Sequence, residues 1–309
     1  MKVKAVAPAS SANLGPGFDV FGIGLDLGFD TVEAQPDKNN IIIEVDGTGS
    51  NSIPTDPESN TAGLVTKKIL GDYHIGDGIK LRIHKGVRPG SGLGSSAASA
   101  AATAVALDKL FALHLPRNKL VEIASVGEIA SAGVAHADNV APAILGGFTI
   151  VRSYDPFDVI GLKPPKDMGF CVALPNIEIS TRMARSVLPK ELPMKSVIRN
   201  LGNASSLVAG VLLNDLDMIG RSMEDRIAEP FRSHLIPGYD LVKRNAKEAG
   251  ALGTAISGSG PSMISLVNTK DNLGRAVTEA MKRGFAEAGI ECDTFISRPA
   301  KGAEIVEVS

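Results

Sequence analysis

Pro89-Gly-Ser-Gly-Leu-Gly-Ser-Ser-Ala-Ala98 places three glycines at alternate positions ahead of a run of small residues. Glycine accepts positive φ and lets other groups approach the backbone closely. Upstream, Ile79-Lys-Leu-Arg-Ile-His84 alternates apolar and polar side chains, the pattern of a half-buried strand. Downstream, Leu107, Leu110 and Phe111 share one face, which predicts a helix from about Ser96 to Leu113. Strand, glycine loop and helix in that order aim several N–H groups and a helix dipole at one point, and so make an anion site. Ser95 and Ser96 add hydroxyls suited to phosphate or a hard cation. Ala97 and Ala98 leave room for a bulky anion. The loop is not a Walker A motif, because no Gly-Lys-Ser/Thr follows. It is not the dinucleotide fingerprint either, because Ser95 stands where the third glycine belongs. A tight loop that only turns the chain is the simpler reading of the same stretch.

Composition narrows the function classes. The 309 residues carry 32 basic and 34 acidic side chains, so no chain-wide basic field attracts nucleic acid. Tryptophan is absent and aromatics are 4%, which argues against stacking platforms for single strands. Cys171 and Cys292 sit in apolar runs and read as reduced, buried thiols rather than a disulfide framework. The start lacks a hydrophobic signal core. The small-apolar run Ala97 to Leu107 is far short of a membrane span. The expectation is a soluble, cytoplasmic protein with no nucleic-acid or membrane partner.

Further strands are expected at Ile41 to Val45 and Gly147 to Val151, and a second helix from Leu120 to Gly133. Pro156, Pro164 and Pro165 punctuate Asp155 to Asp167, where we place the domain boundary or linker. Beyond it come a strand at Phe170 to Leu174 and a helix carrying Val197, Leu201, Ala204, Val208 and Val211. A second helix bears Leu273, Val277, Ala280 and Phe285, with Asp271 as its cap, between strands at Met263 to Val267 and Cys292 to Ile296. The second half reads as a helix-covered, mainly antiparallel sheet.

A triphosphate should bring a carboxylate, since magnesium is held by one or two carboxylates together with phosphate oxygens. Glu128, among small residues in Ser125-Val-Gly-Glu-Ile-Ala-Ser131, is the candidate; a solvated glutamate is its alternative. Ser10-Ser-Ala-Asn-Leu-Gly-Pro-Gly-Phe-Asp19 sets Asn13 and Asp19 in a turn-rich segment, where turn capping is the ordinary role. His136-Ala-Asp-Asn139 gathers an imidazole, a carboxylate and an amide, without the further ligands zinc would need. Arg185 and Arg232 are forks suited to carboxylates. Ala255-Ile-Ser-Gly-Ser-Gly-Pro-Ser262 is a second glycine loop, or simply a hairpin turn.

Three motifs together, Pro8 to Asp19, Gly92 to Ala98 and Ser257 to Pro261, resemble in kind and order those of the GHMP kinases. The likeness spans nearly the whole chain. His136-Ala-Asp-Asn-Val-Ala-Pro-Ala143, Thr181 and Arg185 resemble the branch whose acceptor is the side-chain hydroxyl of L-homoserine. The resemblance implies an α+β chain. Residues 1–160 would form an ATP-binding domain like the second domain of ribosomal protein S5. Residues 161–309 would form a ferredoxin-like domain, with the nucleotide in the cleft between. It implies γ-phosphoryl transfer from ATP with Mg2+, and a homodimer.

By the same resemblance, Pro89, Gly90, Ser91, Gly92, Leu93, Gly94, Ser95, Ser96, Ala97, Ala98 and Ser99 cradle the phosphates. Ser96 and Glu128 hold magnesium, and Asn60 and Lys85 lie near the adenine. Asn13, Asp19, His136, Asn139, Thr181, Arg185, Arg232 and Gly258 line the amino-acid pocket. Asn139, Glu128 and Ser96 are the residues nearest the chemistry. Sister enzymes acting on mevalonate or shikimate share the motifs, but neither acceptor has an ammonium for Asp19. Where those relatives are thought to use an aspartate base and a lysine, this chain has Asn139 and no evident lysine. Asparagine cannot accept a proton near neutral pH. The expectation is catalysis by positioning and charge stabilisation, with Asp138 as the rival base.

Overall fold

The strands build two sheets, and the computed structural model describes all residues, Met1 to Ser309. In chain order the first part runs β1 (Val3–Asn13), β2 (Gly17–Asp37), β3 (Ile41–Gly47), α1 (Thr61–Asp72), β4 (Gly78–Lys85) and α2 (Ser95–Leu110). It continues through α3 (Arg117–Ser125), α4 (Glu128–Ala132), α5 (Val140–Leu145), β5 (Phe148–Tyr154) and β6 (Phe157–Leu162). The second part runs β7 (Met168–Pro175), α6 (Thr181–Ser186), α7 (Met194–Leu213), α8 (Leu216–Ser222), α9 (Glu229–Arg232) and α10 (Tyr239–Glu248). It ends with β8 (Gly253–Ile256), β9 (Met263–Asn268), α11 (Gly274–Glu287), β10 (Cys292–Ser297) and β11 (Glu304–Val308).

The first sheet has the order β11-β1-β2-β4-β3, with β5 and β6 joined through β2. Only β3 and β4 pair in parallel. In β4 the inward set Ile79, Leu81 and Ile83 is buried, as the alternation predicts. That face packs on α2, whose alanines from Ala97 to Ala106 are buried and let the helix lie close to β1 and β2. The second sheet has the order β10-β7-β9-β8 and is antiparallel throughout. Its central strand β7 is buried on both faces. Cys171 and Ala173 meet Val242 and Ala246 of α10 and Val277, Met281 and Phe285 of α11. Phe170 and Val172 face the other way, onto Leu207 and Val211 of α7 and Ile219 of α8.

That second face also carries Leu14, Phe21, Ile23, Leu93 and Phe148 from the first part of the chain. One apolar core of 19 buried residues therefore joins the two sheets. The boundary or linker expected at Asp155 to Asp167 overlaps ordered strand over its first half. Pro156 lies in the turn of a β5–β6 hairpin, and β6 occupies Phe157 to Leu162. Pro164 and Pro165 follow β6, in the short stretch that leads from the first sheet to β7 of the second. The last strand, β11, returns to pair with β1 in the first sheet.

Three helix boundaries also differ from the sequence reading. The helix expected over Leu120 to Gly133 is two, α3 and α4, separated at Val126 and Gly127. Helix α2 stops at Leu110, ahead of Ala112 and His114, which have positive φ. Asp271 ends a 3-10 turn instead of capping α11, whose preceding residue is Leu273.

Candidate active site

The three glycine-bearing segments converge because their backbones bond to one another. Ser10 N–H donates to Leu93 O at 3.1 Å, Gly258 N–H to Ala12 O at 3.1 Å, and Ser262 N–H to Ser91 O at 3.3 Å. Ser257 Oγ reaches Gly92 O and Ser11 Oγ, both at 2.8 Å. Gly90, Gly92 and Gly94 all have positive φ. At Gly92 a Cβ would stand 2.6 Å from the carbonyl oxygens of both Ser257 and Gly260, so only glycine allows the two loops to meet. Helix α2 begins directly after Gly94, and its first N–H groups point into the same space.

The cleft holds a cavity of about 340 Å³. The loop from Pro89 to Ser99 lines it except for Leu93, Ala97 and Ala98, which turn into the core. Ser96, Glu128, Asn60, Lys85, Asn13, Asp19, His136, Asn139, Thr181, Arg185, Arg232 and Gly258 also line it. Asp138, Ser259 of the third motif, and Ser52 to Pro54, a segment not singled out in the sequence, also line the wall.

Arg185 lies on α6 and bonds Asp19 through both prongs of its fork, at 2.8 and 3.0 Å. Burial alone would lower the Arg185 pKa, but the Asp19 bond and charge raise it above the ordinary value. Asp19 owes its direction to a positive φ and to Asn13, whose Oδ1 accepts the Asp19 N–H. Asn13 Nδ2 donates to Gly258 O, so this amide ties the first motif to the third. Arg232, on the short α9, donates to Ala184 O and Gly258 O and is buried. Its pKa falls below the ordinary value through burial and the neighbouring Arg185 charge. Phe18, inside the first motif yet not expected from sequence to act, lies under both guanidinium groups, at 5.8 and 5.1 Å.

Glu128 is buried at the start of α4. Ser96 Oγ donates to its Oε2 at 3.0 Å, while Oε1 has no partner. Burial raises the Glu128 pKa, only partly offset by His136 and Ser96. His136 stands between two carboxylates: Nδ1 is 3.1 Å from Asp138 Oδ1 and Nε2 is 3.6 Å from Glu128 Oε2. Burial acts to lower its pKa, but Asp138 and Glu128 together raise it. An orphaned carboxylate oxygen beside a serine hydroxyl, at the first turn of α2, fits a magnesium ion carried by a nucleotide. Glu128, His136 and Asp138 are not arranged so that the three could hold a metal ion by themselves, as in an all-protein metal centre.

Asn139 Oδ1 accepts from Ser10 Oγ at 2.9 Å, which leaves its Nδ2 toward the cleft beside Gly258. Asn60 is a different matter. Its Oδ1 caps α1 by accepting from Ala62 and Gly63, and its Nδ2 donates to Pro54 O. Lys85 Nζ points inward to Asp30, Ser95 O and Ser99 Oγ. Both residues reach the cleft wall with their polar atoms already engaged.

The model of the GHMP kinases N-terminal domain matches residues 60–147, and that of the GHMP kinases C-terminal domain matches 207–286. The chain is 48% identical over 266 residues to a homoserine kinase of Methanococcus maripaludis, covering 86% of this chain and 87% of that protein. It is 44% identical to a homoserine kinase of Methanococcus vannielii over 99% of both chains. The crystal structure of homoserine kinase from Cytophaga hutchinsonii superposes with a TM-score of 0.92 at 41% identity, covering 99% of this chain and 97% of that one. The shared two-domain fold and this extent of identity make the chain a member of the GHMP kinase family, in its homoserine kinase branch, and an ATP-dependent small-molecule kinase.

Proposed function

We propose that this kinase transfers the γ-phosphoryl group of ATP to the side-chain hydroxyl of L-homoserine, giving O-phospho-L-homoserine for threonine synthesis. One observation carries the reading. Asp19 stands against Arg185, with Arg232 close by, in the same cavity as the phosphate loop. An anion and two cations at that spacing suit an ammonium and a carboxylate on one small molecule. Thr181, Asn13, His136 and Gly258 close the rest of that pocket.

The N–H groups from Gly90 to Ala97 bind the phosphate oxygens, and the α2 N-terminus favours their charge. Ser96 and Glu128 hold magnesium, which supplies charge neutralisation on the phosphates when bound. Asn139 hydrogen-bonds the acceptor hydroxyl and is itself oriented by Ser10. No strong base touches that hydroxyl. A loose phosphoryl-transfer transition state tolerates this, because the nucleophile need not lose its proton early. Aligning acceptor and phosphate is then the main catalytic work of the side chains.

Residues 1–160 as the N-terminal, ATP-binding domain and 161–309 as the C-terminal domain belong to the same proposal, with β11 completing the first sheet. So does a cytoplasmic location; no helix is long and apolar enough to cross a membrane. A homodimer is also proposed. The outer face of α7 exposes Met194, Ile198, Leu201 and Leu212, and a second copy would cover it. Sedimentation of wild type and Leu201→Glu tests this, and a wild-type monomer would refute it.

The substrate test is a coupled assay of ADP release with Mg-ATP and L-homoserine, mevalonate or shikimate. We expect kcat/KM for homoserine to exceed the others by at least about 100-fold, since a buried polar site rejects acceptors that leave its groups unpaired. Equal rates would refute the assignment.

A further inference from the structure

We propose that Asp30 and Lys85 are positioning residues for the phosphate loop: a buried ion pair that clamps both ends of the loop without touching the nucleotide. The inference rests on the nucleotide reading above and adds residues that act through the loop.

Asp30 lies on β2 and is fully buried; Lys85 ends β4 and is 2% exposed. Their carboxylate and ammonium are in direct contact. Asp30 Oδ1 accepts the N–H groups of Gly86 and Val87, both at 3.1 Å, which fixes the chain as it leaves β4. Asp30 Oδ2 accepts from Ser99 Oγ at 2.6 Å, one turn into α2. Lys85 Nζ donates to Ser95 O at 2.7 Å and to Ser99 Oγ at 2.8 Å. Ser95 Oγ closes the ring by donating to Val87 O at 2.7 Å. Both ends of the Gly86–Ser95 segment therefore hang on one pair of charges.

An ammonium has three donors. Asp30, Ser95 and Ser99 take all three, so none remains for adenine or phosphate. Burying an ion pair is unfavourable compared with apolar side chains of equal volume. Apolar residues could fill the space between β2, β4 and α2. They could not accept the N–H groups of Gly86 and Val87, nor donate to the Ser95 carbonyl. What the charges add is the geometry of the loop ends, and three positive-φ glycines between those ends leave the loop little rigidity of its own.

The test is calorimetric titration of ADP with Mg2+, together with the KM for ATP and for homoserine. The variants are Asp30→Asn, Lys85→Met, the double variant and Ser99→Ala. We expect both single variants to weaken ADP binding by about tenfold or more, with the homoserine KM within about twofold of wild type. The double variant should melt higher than either single, because no lone charge stays buried, yet keep the loss of ADP affinity. Ser99→Ala should weaken ADP binding about threefold. If the single variants do not fold, the double variant and Ser99→Ala decide. Wild-type ADP affinity in the folded double variant would overturn the inference. So would loss of binding in Lys85→Met with none in Asp30→Asn, which would put Lys85 on the nucleotide itself. A wild-type chain that binds no ADP would instead overturn the nucleotide reading.

Discussion

Asp19 and Arg185, separated by 166 residues of chain, form a two-pronged ion pair in the wall of the cleft. The pair brings together the two charges that an amino acid must meet separately. Its side chains remain a quarter to a third exposed, so a ligand can reach both. A zwitterion entering there replaces one ion pair with two, at little net electrostatic cost. An acceptor with only a carboxylate leaves Asp19 unmatched.

Arg185→Ala therefore removes a fork from the acceptor pocket and leaves Asp19 without its partner. We expect a loss of about 2–4 kcal/mol in kcat/KM for homoserine, mostly through KM. Steady-state kinetics with each substrate varied in turn would show the ATP KM unchanged. Unchanged homoserine kinetics would remove Arg185 from the pocket.

Phe18 lies beneath Arg185 and Arg232 and holds two like charges near each other. A cation over an aromatic ring contributes about 0.5–1 kcal/mol at partly exposed sites. Phe18→Leu should raise the homoserine KM by about 5- to 30-fold and spare the ATP KM. The same assay checks it, and an unaltered homoserine KM would show that the ring only fills space.

Glu128 is raised in pKa by burial, so its ionised form is disfavoured in the fold. For such an acid, the native state holds its proton longer than the unfolded chain does. Stability is thus lost as pH climbs from the unfolded value through the raised folded one. Glu128→Gln should melt no lower than wild type at neutral pH, with the difference vanishing in acid. Meanwhile, the Mg2+ concentration for half-maximal rate should rise at least about tenfold. Melting curves from pH 4 to 8 and a Mg2+ titration measure the two effects. Wild-type Mg2+ dependence would contradict the metal role.

Gly92→Ala places a methyl group against the Ser257 and Gly260 carbonyls at a residue with positive φ. Backbone strain of this kind costs about 1–3 kcal/mol. Denaturant melts should show that loss, and ADP binding should weaken with it. A variant of full stability would mean that the two glycine loops can separate freely.

Asp138→Asn tests for a base. Asp138 Oδ1 accepts from its neighbour Asn139 N–H and faces His136 Nδ1, which ties the carboxylate to its own loop. General-base catalysis is worth about 100-fold or more. We expect the turnover of Asp138→Asn to fall less than about tenfold. A loss near background with homoserine still bound would restore a base mechanism.

Local sequence settled those features that depend on residues close in the chain. The alternation of Ile79 to His84 marked β4, and the glycines from Gly90 to Gly94 marked a positive-φ loop, because periodicity and backbone permissiveness are local properties. The order of three motifs indicated the family. Glu128 could be picked out as a cleft residue because an acid among small neighbours stands out in its own stretch.

Tertiary structure decided what depends on distant partners. Asp30 gave no signal, since nothing in its own stretch shows that Lys85 and the N–H groups of Gly86 and Val87 will surround it. Only packing supplied the protein partners of the Lys85 and Asn60 polar atoms, which their own stretches of sequence do not show. Pro156 falls in a hairpin turn and Pro164 and Pro165 between the two sheets, and a shared apolar core joins those sheets, because side chains far apart in the chain bury one another across the joint. Composition and spacing fix which groups a chain can offer, whereas desolvation and hydrogen-bond saturation, which depend on the whole fold, fix which of them remain available to a ligand.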